Sequence, residues 1–197
     1  MINKIKRLKD LALDLKKLRK SRKKIVHCHG IFDLLHIGHI WYLNEAKSMG
    51  EILVVTLTPD RYVNKGPLRP EFSEDLRAQA IASLESVDFV AINNWETAIE
   101  TIKLLKPDYY VKGPEYRDYN DDLTHNIGLE EKAVIEVGGS IAFTKGHTFS
   151  SSKLLNRHFN SLTNEQNVFI ERLKSNFSFN DIKNILESTN QKKVIVI

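Results

Sequence analysis

The chain has 197 residues, 42% of them hydrophobic, and a formal net charge of +4, which suits one globular domain with a substantial core plus appendages. The N-terminus lacks the uninterrupted apolar stretch of a signal peptide, and no apolar run approaches the ~20 residues of a membrane span. The single cysteine, Cys28, excludes an internal disulfide framework and agrees with a reducing cytoplasm, where a buried apolar role on a strand is expected of it.

The charge is unevenly placed. Residues 1–24 hold eleven Lys and Arg against Asp10 and Asp14, and the remaining residues hold 18 basic and 23 acidic side chains. Ile2, Ile5, Leu8, Leu11, Leu15 and Leu18 recur there at helical spacing, so residues 1–23 read as a basic amphipathic helix. Its leucine stripe is expected to dock on the domain or on a second subunit with lysines outside; a membrane or nucleic acid is the competing surface, and no basic-aromatic stretch elsewhere supports nucleic-acid binding.

"KKIVHCH" (23–29) then reads as a strand bounded by Gly30, and a helix starts at His36 or Gly38 and runs to about Ser48. "EILVVTLT" (51–58) is a strand of the kind buried on both faces of a parallel sheet. Residues 58–72 are a charged loop, 73–87 a helix opened by a Ser or Asp cap signal, 88–92 a strand, 95–105 a helix and 108–113 a strand. After a polar loop come a helix over 128–138, a strand over 140–144 and a helix from 150 to 160. Residues 164–191 read as two helices joined near "NFSFN", and "KKVIVI" (192–197) as a strand expected to begin a further domain, the alternative being a terminal strand that adds to the first sheet. Strands alternating with helices predict right-handed βαβ units in a Rossmann-like, doubly wound, five-stranded parallel sheet over residues 24–160. Residues 161–197 would be a helical linker and the first strand of a second domain.

In such sheets ligands bind beyond the carboxyl ends of the strands. Residues 29–39, 59–70, 93–95, 113–127 and 145–152 fall there. In "GIFDLLHIGH" (30–39), His36 and His39 share one face at a helix start, where backbone N–H groups and the positive dipole end favour anions. Gly30 and Gly38 permit close backbone approach. The pattern points to a triphosphate site with imidazoles donating hydrogen bonds. Zinc is the weaker explanation, because no third ligand follows at suitable spacing, and two core histidines beside two glycines are rare.

"GIFDLLHIGH", "RPEFSEDLRAQAI" (69–81), "VKGPEY" (111–116) and "TFSSSK" (148–153), in that order, resemble the cytidylyltransferase-like branch of the His-x-Gly-His nucleotidyltransferases across about residues 24–157. Within it, "KGPLRP" (65–70) and "KGPEY" (112–116) are most similar to the nucleotidyltransferase domain of ADP-heptose synthase-type proteins. The resemblance implies transfer of a nucleoside monophosphate from ATP or CTP to a sugar or polyol phosphate, with Mg2+ carried by the nucleotide and no metal site of the protein's own. It also implies a homodimer and fusion to a sugar kinase domain. Carried onto this chain, it makes His36 and His39 hold the triphosphate, with the Ile31 and Phe32 peptides meeting the phosphates. Lys65 neutralises them from the loop after the second strand, and Arg77 stands near them. Ser150, Ser151 and Ser152 cap the last helix on the β- and γ-phosphates, and Gly113 to Tyr116 lie along base and ribose. Asp33 either braces the turn or touches nucleotide.

Two departures bear on the substrate. Glycerol-phosphate and phosphocholine enzymes carry Arg-Thr-Glu-Gly where this chain has "KGHT" (145–148), so Lys145 keeps a charge without the planar fork of arginine. Those acting on glycerol phosphate also place a lysine near the "NWE" segment, where Asn93 stands here. Both count against CTP and glycerol phosphate and fit a different acceptor, without proving ATP. The expected acceptor is a sugar 1-phosphate of the heptose 1-phosphate type, with a polyol phosphate such as glycerol 3-phosphate as the alternative. Class I aminoacyl-tRNA synthetases also use a His-Ile-Gly-His segment, but need a longer chain and a lysine-rich second loop. A non-enzymatic nucleotide sensor would have lost a phosphate ligand, and none of those named is missing.

Overall fold

The computed structural model describes residues 4–65, 69–117, 126–146 and 163–190. The chain divides into two compact units, Met1–Ser151 and Ser152–Ile197. The first holds five parallel strands, β1 (Ile25–Gly30), β2 (Ile52–Leu57), β3 (Phe89–Ile92), β4 (Tyr109–Lys112) and β5 (Ser140–Phe143), in the order β3-β2-β1-β4-β5. The crossovers carry α2 (Ile37–Lys47), α3 (Glu74–Ala82), α4 (Ile99–Leu105) and α5 (Ile127–Glu136).

Alternation along each strand explains why both faces are covered. Val26 and Cys28 of β1, with Leu53, Val55 and Leu57 of β2, pack against Leu43, Ala46, Ala78 and Ile81 of α2 and α3. The intervening Ile25, Ile52 and Val54 face the other way, onto Leu8, Leu11 and Leu15. β1 and β2 end in register, Gly30 opposite Leu57. The chain winds outward from β1 through β2 to β3 and then returns to β4 on the other side. That reversal opens a crevice at the carboxyl ends of β1 and β4, the place for a ligand in this topology.

The N-terminal segment, whose leucine stripe was expected to dock on the domain or on a second subunit, lies in the same compact unit as the sheet. Helix α1 runs from Leu8 to Lys20 and buries Leu8, Leu11 and Leu15. Arg19 donates from Nη1 to the Leu105 carbonyl at 2.8 Å. Ile5, expected in the helical stripe, is instead extended and bridges Val90 in parallel. Lys6 N–H donates to the Val90 carbonyl and Val90 N–H to the Lys4 carbonyl, both at 2.9 Å. An edge strand leaves backbone groups unpaired, and residues 4–6 satisfy those of β3. Helix α3 is shorter than its periodicity predicts, ending at Ala82 before the turn at 83–87. Cys28 is fully buried, as expected, and burial pushes its thiol up to about 12.

In the second unit, α6 (Asn164–Asn176) and α7 (Phe179–Asn190) are the two expected helices. Thr163 and Gln166 form a reciprocal capping box at the start of α6. The strand expected over 192–197 and the helix expected over 150–160 lie outside the described residues. Among the described residues no helix is long and apolar enough to cross a membrane.

Candidate active site

The turn leaving β1 is shaped by two residues. Phe32 has φ +50°, a left-handed conformation that strains a bulky side chain. Its ring is buried, meets His39 edge-on with centroids 5.3 Å apart, and packs where a Cβ on Gly30 would approach it to 3.1 Å. Gly30 therefore makes room for the Phe32 ring, a use the motif by itself does not reveal. The Ile31 and Phe32 peptides sit at this turn, directly before the two histidines.

His36 is the N-cap of α2 and its Nδ1 accepts from the Gly38 N–H at 3.1 Å. Because Nδ1 accepts, the neutral ring carries its proton on Nε2. The His36 and His39 rings stack with centroids 3.9 Å apart at 24°. Burial lowers both; it holds His39 at about 4, with the His36 ring and the Lys65 ammonium adding to it and the Leu34 carbonyl opposing. Burial thus favours the neutral form of both imidazoles. The helix start differs from expectation in one respect: the His36 ring takes the Gly38 N–H, and His39 N–H bonds the His36 carbonyl at 2.9 Å. Anion binding here leans on the imidazoles more than on those two peptides.

The loop from β2 to α3 is tied to this turn at several points. Asp33, 3% exposed, accepts from the Glu71 N–H at 2.8 Å and pairs with Arg69 at 3.2 Å. Of the two roles open to it, this is the brace. Lys65 lies at the exposed rim. Its ammonium is lowered first by the surrounding protein and second by Arg69, with Asp33 opposing.

Arg77, expected near the phosphates, has a fully buried side chain. Nε donates to the Phe72 carbonyl at 3.0 Å, Nη1 to the Ile31 carbonyl, and Nη2 to the Thr58 carbonyl at 2.9 Å and to Asp60 at 2.6 Å. It reaches the phosphate turn through Ile31. A side chain with this many fixed acceptors is a clamp across three loop segments.

The clamp involves residues the motifs did not single out. Asp60 accepts from the Glu74 N–H at 3.1 Å, while Glu74 accepts from the Asp60 N–H at 2.7 Å. This pair caps α3, which the Ser73 side chain does not. Behind the turn, Thr56 Oγ1 lies 2.7 Å from His27 Nε2 and 2.8 Å from His29 Nδ1, and His29 Nε2 lies 3.2 Å from Thr58 Oγ1. The in-phase alternation of His27 and His29 with Thr56 and Thr58 was the available signal for this polar run.

At the end of β4, Gly113 precedes a 3-10 turn over Pro114–Tyr116. A Cβ on Gly113 would collide with the Glu115 carboxylate. Lys112, behind this turn, pairs with Glu130 of α5 at 3.0 Å. Lys145 is exposed, and its N–H donates to Glu45 of α2 at 2.8 Å. Asn93 is buried and braces its own loop, donating to the Trp95 and Thr97 carbonyls at 2.8 Å each. Ser150, Ser151 and Ser152 lie outside the described residues. The structure thus brings His36, His39, Phe32 and the Lys65 loop together at the mouth of β1, with Gly113 and Tyr116 at the mouth of the adjacent β4.

Comparison with known proteins agrees with this geometry. A family model described as cytidylyltransferase-like matches residues 27–158. The chain is 44% identical over 137 residues to the Bifunctional protein HldE of Aliarcobacter butzleri, covering 68% of this chain and 29% of that protein. To the protein of the same name from Campylobacter jejuni subsp. jejuni it is 42% identical over 142 residues, covering 71% and 29%. It therefore spans less than a third of the length of these curated relatives. Among solved structures, the lipopolysaccharide core biosynthesis protein of Thermoplasma volcanium is 26% identical with a TM-score of 0.51, covering 65% of this chain and 99% of that one. The pantoate-beta-alanine ligase of Francisella tularensis, 16% identical with a TM-score of 0.56 over 94% of this chain and 85% of its own, shares the fold. With a parallel Rossmann-like sheet, a stacked histidine pair at its switch point and these relatives, the chain belongs to the cytidylyltransferase-like nucleotidyltransferases.

Proposed function

We propose that this chain transfers a nucleoside monophosphate from ATP or CTP to a sugar 1-phosphate of the heptose type and releases pyrophosphate. The observation that carries this is the pair of neutral, stacked imidazoles of His36 and His39 at the start of α2, read beside relatives named HldE.

The acceptor's phosphate oxygen is already an anion and attacks the α-phosphorus; the bond from that phosphorus to the bridging oxygen of pyrophosphate breaks, and no covalent enzyme intermediate is needed. His36 and His39 donate hydrogen bonds to the phosphates and stabilise the charge that gathers at the α-phosphorus. Lys65 screens the repulsion between acceptor and nucleotide. Asp33 and Arg77 act as positioning residues, one holding the 69–72 strap and the other the Ile31 carbonyl. Gly113 and Tyr116 border the base and ribose. Lys145 is the described residue assigned to the outer phosphates, and the same role is proposed from the family resemblance alone for Ser150, Ser151 and Ser152.

Mg2+ prefers oxygen ligands. The carboxylates nearest the histidine turn, Asp33 and Asp60, are engaged by Arg69, Arg77 and backbone N–H groups. That donor set fits a Mg2+ carried on the triphosphate's own oxygens, where it would neutralise charge on the leaving pyrophosphate. The intact protein is proposed to be cytoplasmic, to form homodimers and to carry a sugar kinase domain, the last because the relatives are named bifunctional and the match covers only 29% of their length.

The test is pyrophosphate release from each of the four nucleoside triphosphates against a panel of sugar 1-phosphates and polyol phosphates. Release with ATP or CTP and a sugar 1-phosphate is expected. Glycerol 3-phosphate as the preferred acceptor would move the assignment to a polyol phosphate, and no release with any pair would remove it.

A further inference from the structure

Beside the histidine turn, the end of β4 carries an ion pair that the transfer chemistry does not require. Lys112, the last residue of β4, points its Nζ at Glu130 Oε2 of α5, 3.0 Å away, and the two side chains are 11% and 5% exposed. Enclosing two charges carries a desolvation penalty that their attraction only balances, so apolar residues of similar size serve stability as well or better. A role other than stability is therefore to be sought in what else the ammonium touches.

It touches two aromatic rings. Lys112 Nζ lies 4.4 Å from the centroid of Tyr116 and 5.6 Å from that of Tyr110. An ammonium over a ring face is attracted by the ring quadrupole, more strongly when desolvated. Glu130 fixes the ammonium, and the ammonium fixes the plane of the Tyr116 ring. The turn itself is short: Tyr116 N–H bonds the Gly113 carbonyl and Arg117 N–H the Pro114 carbonyl, each at 3.2 Å. It is also tied to β5, since the Lys112 carbonyl accepts from the Thr144 N–H at 3.0 Å and the Thr144 carbonyl from Arg117 Nη2 at 3.2 Å.

We infer that the buried Lys112–Glu130 pair is a positioning device that holds the Tyr116 ring and the 113–117 turn to receive the nucleoside half of the triphosphate, while the histidine turn receives its phosphates. The inference rests on the nucleotidyltransferase reading and deepens it, by dividing nucleotide recognition between two supports on adjacent strands. Lys112 and Glu130 are positioning residues, acting through Tyr116.

The division is testable because inorganic tripolyphosphate has the phosphates without the nucleoside. Equilibrium binding of ATP, CTP and tripolyphosphate is measured on the full chain, on the double variant K112M/E130L and on Lys112→Arg. Replacing both members with apolar residues leaves no buried charge alone, so cooperative unfolding is retained. Loss of an oriented aromatic support weakens whichever nucleotide the wild-type chain binds by at least ~10-fold. Tripolyphosphate affinity changes by less than about 2-fold, and KM for the nucleotide rises while kcat stays within about 3-fold. Lys112→Arg, which keeps a cation over the ring, retains most nucleotide affinity. A double variant that binds nucleotide like wild type, or loses nucleotide and tripolyphosphate equally, overturns the inference. If that variant does not fold, Tyr116→Leu, which leaves the pair intact, must show the same selective loss, and equal affinities there overturn it too. A wild-type chain that binds neither ATP nor CTP overturns the nucleotidyltransferase reading, and the inference with it.

Discussion

His36 and His39 are three residues apart, yet the structure gives them different work. His36 closes the helix start through Nδ1, while His39 is enclosed between the His36 ring and the edge of Phe32. Replacing His39 with alanine removes a donor aimed at developing charge, and turnover is expected to fall by ~100-fold or more with folding retained; unchanged steady-state pyrophosphate release would remove the mechanism. The buried imidazoles also set a pH dependence. His27 is lowered to about 3 by burial and then by Lys112, and His39 to about 4, both from an ordinary value of 6.5. Between those limits the unfolded chain binds protons that the folded chain refuses. Their contribution to stability is complete above pH 6.5 and is lost as pH falls toward 4 and below. The thermal midpoint is expected to drop across that interval, less steeply in His39→Gln. A midpoint flat from pH 7 to 4 would contradict the burial of these rings.

At the scale of elements, the site depends on loops that the sheet places but does not itself hold. β1 ends in a strained turn at Phe32, and β2 leads into a loop that returns to Asp33. Arg77, from the third helix, binds carbonyls of both segments and the carboxylate of Asp60. Removing one partner of a buried pair costs about 3–5 kcal/mol. Because Asp60 is 39% exposed and regains water, Arg77→Met is expected at or below the low end of that range. The same change should lower turnover while leaving His36 and His39 in sequence untouched. Urea unfolding and pyrophosphate release check the two effects, and a variant with wild-type turnover would show that the Ile31 carbonyl needs no clamp.

Over the whole molecule, the basic N-terminal segment closes one face of the sheet with Leu8, Leu11 and Leu15 and pairs with its β3 edge through residues 4–6. Its apolar stripe is therefore occupied within the chain, and a homodimer would have to form through some other surface. For the 22.7 kDa chain, sedimentation velocity is expected to give about twice that mass; a single monomer species at micromolar concentration would end that part of the proposal.

The alternation of strands and helices, the parallel sheet and the histidine motif at its carboxyl edge were legible in the sequence, because each depends on spacing within a few neighbouring residues. The conformation of Ile5, the burial of Arg77, the Asp60–Glu74 cap and the Lys112–Glu130 pair were not. Each joins residues from separate elements, and whether an arginine meets a phosphate or three carbonyls is settled only when those elements pack. Local pattern determined which chemistry the chain carries; tertiary packing decided which of its charges are left to perform it, since a buried charge must first be neutralised by whatever the fold brings beside it.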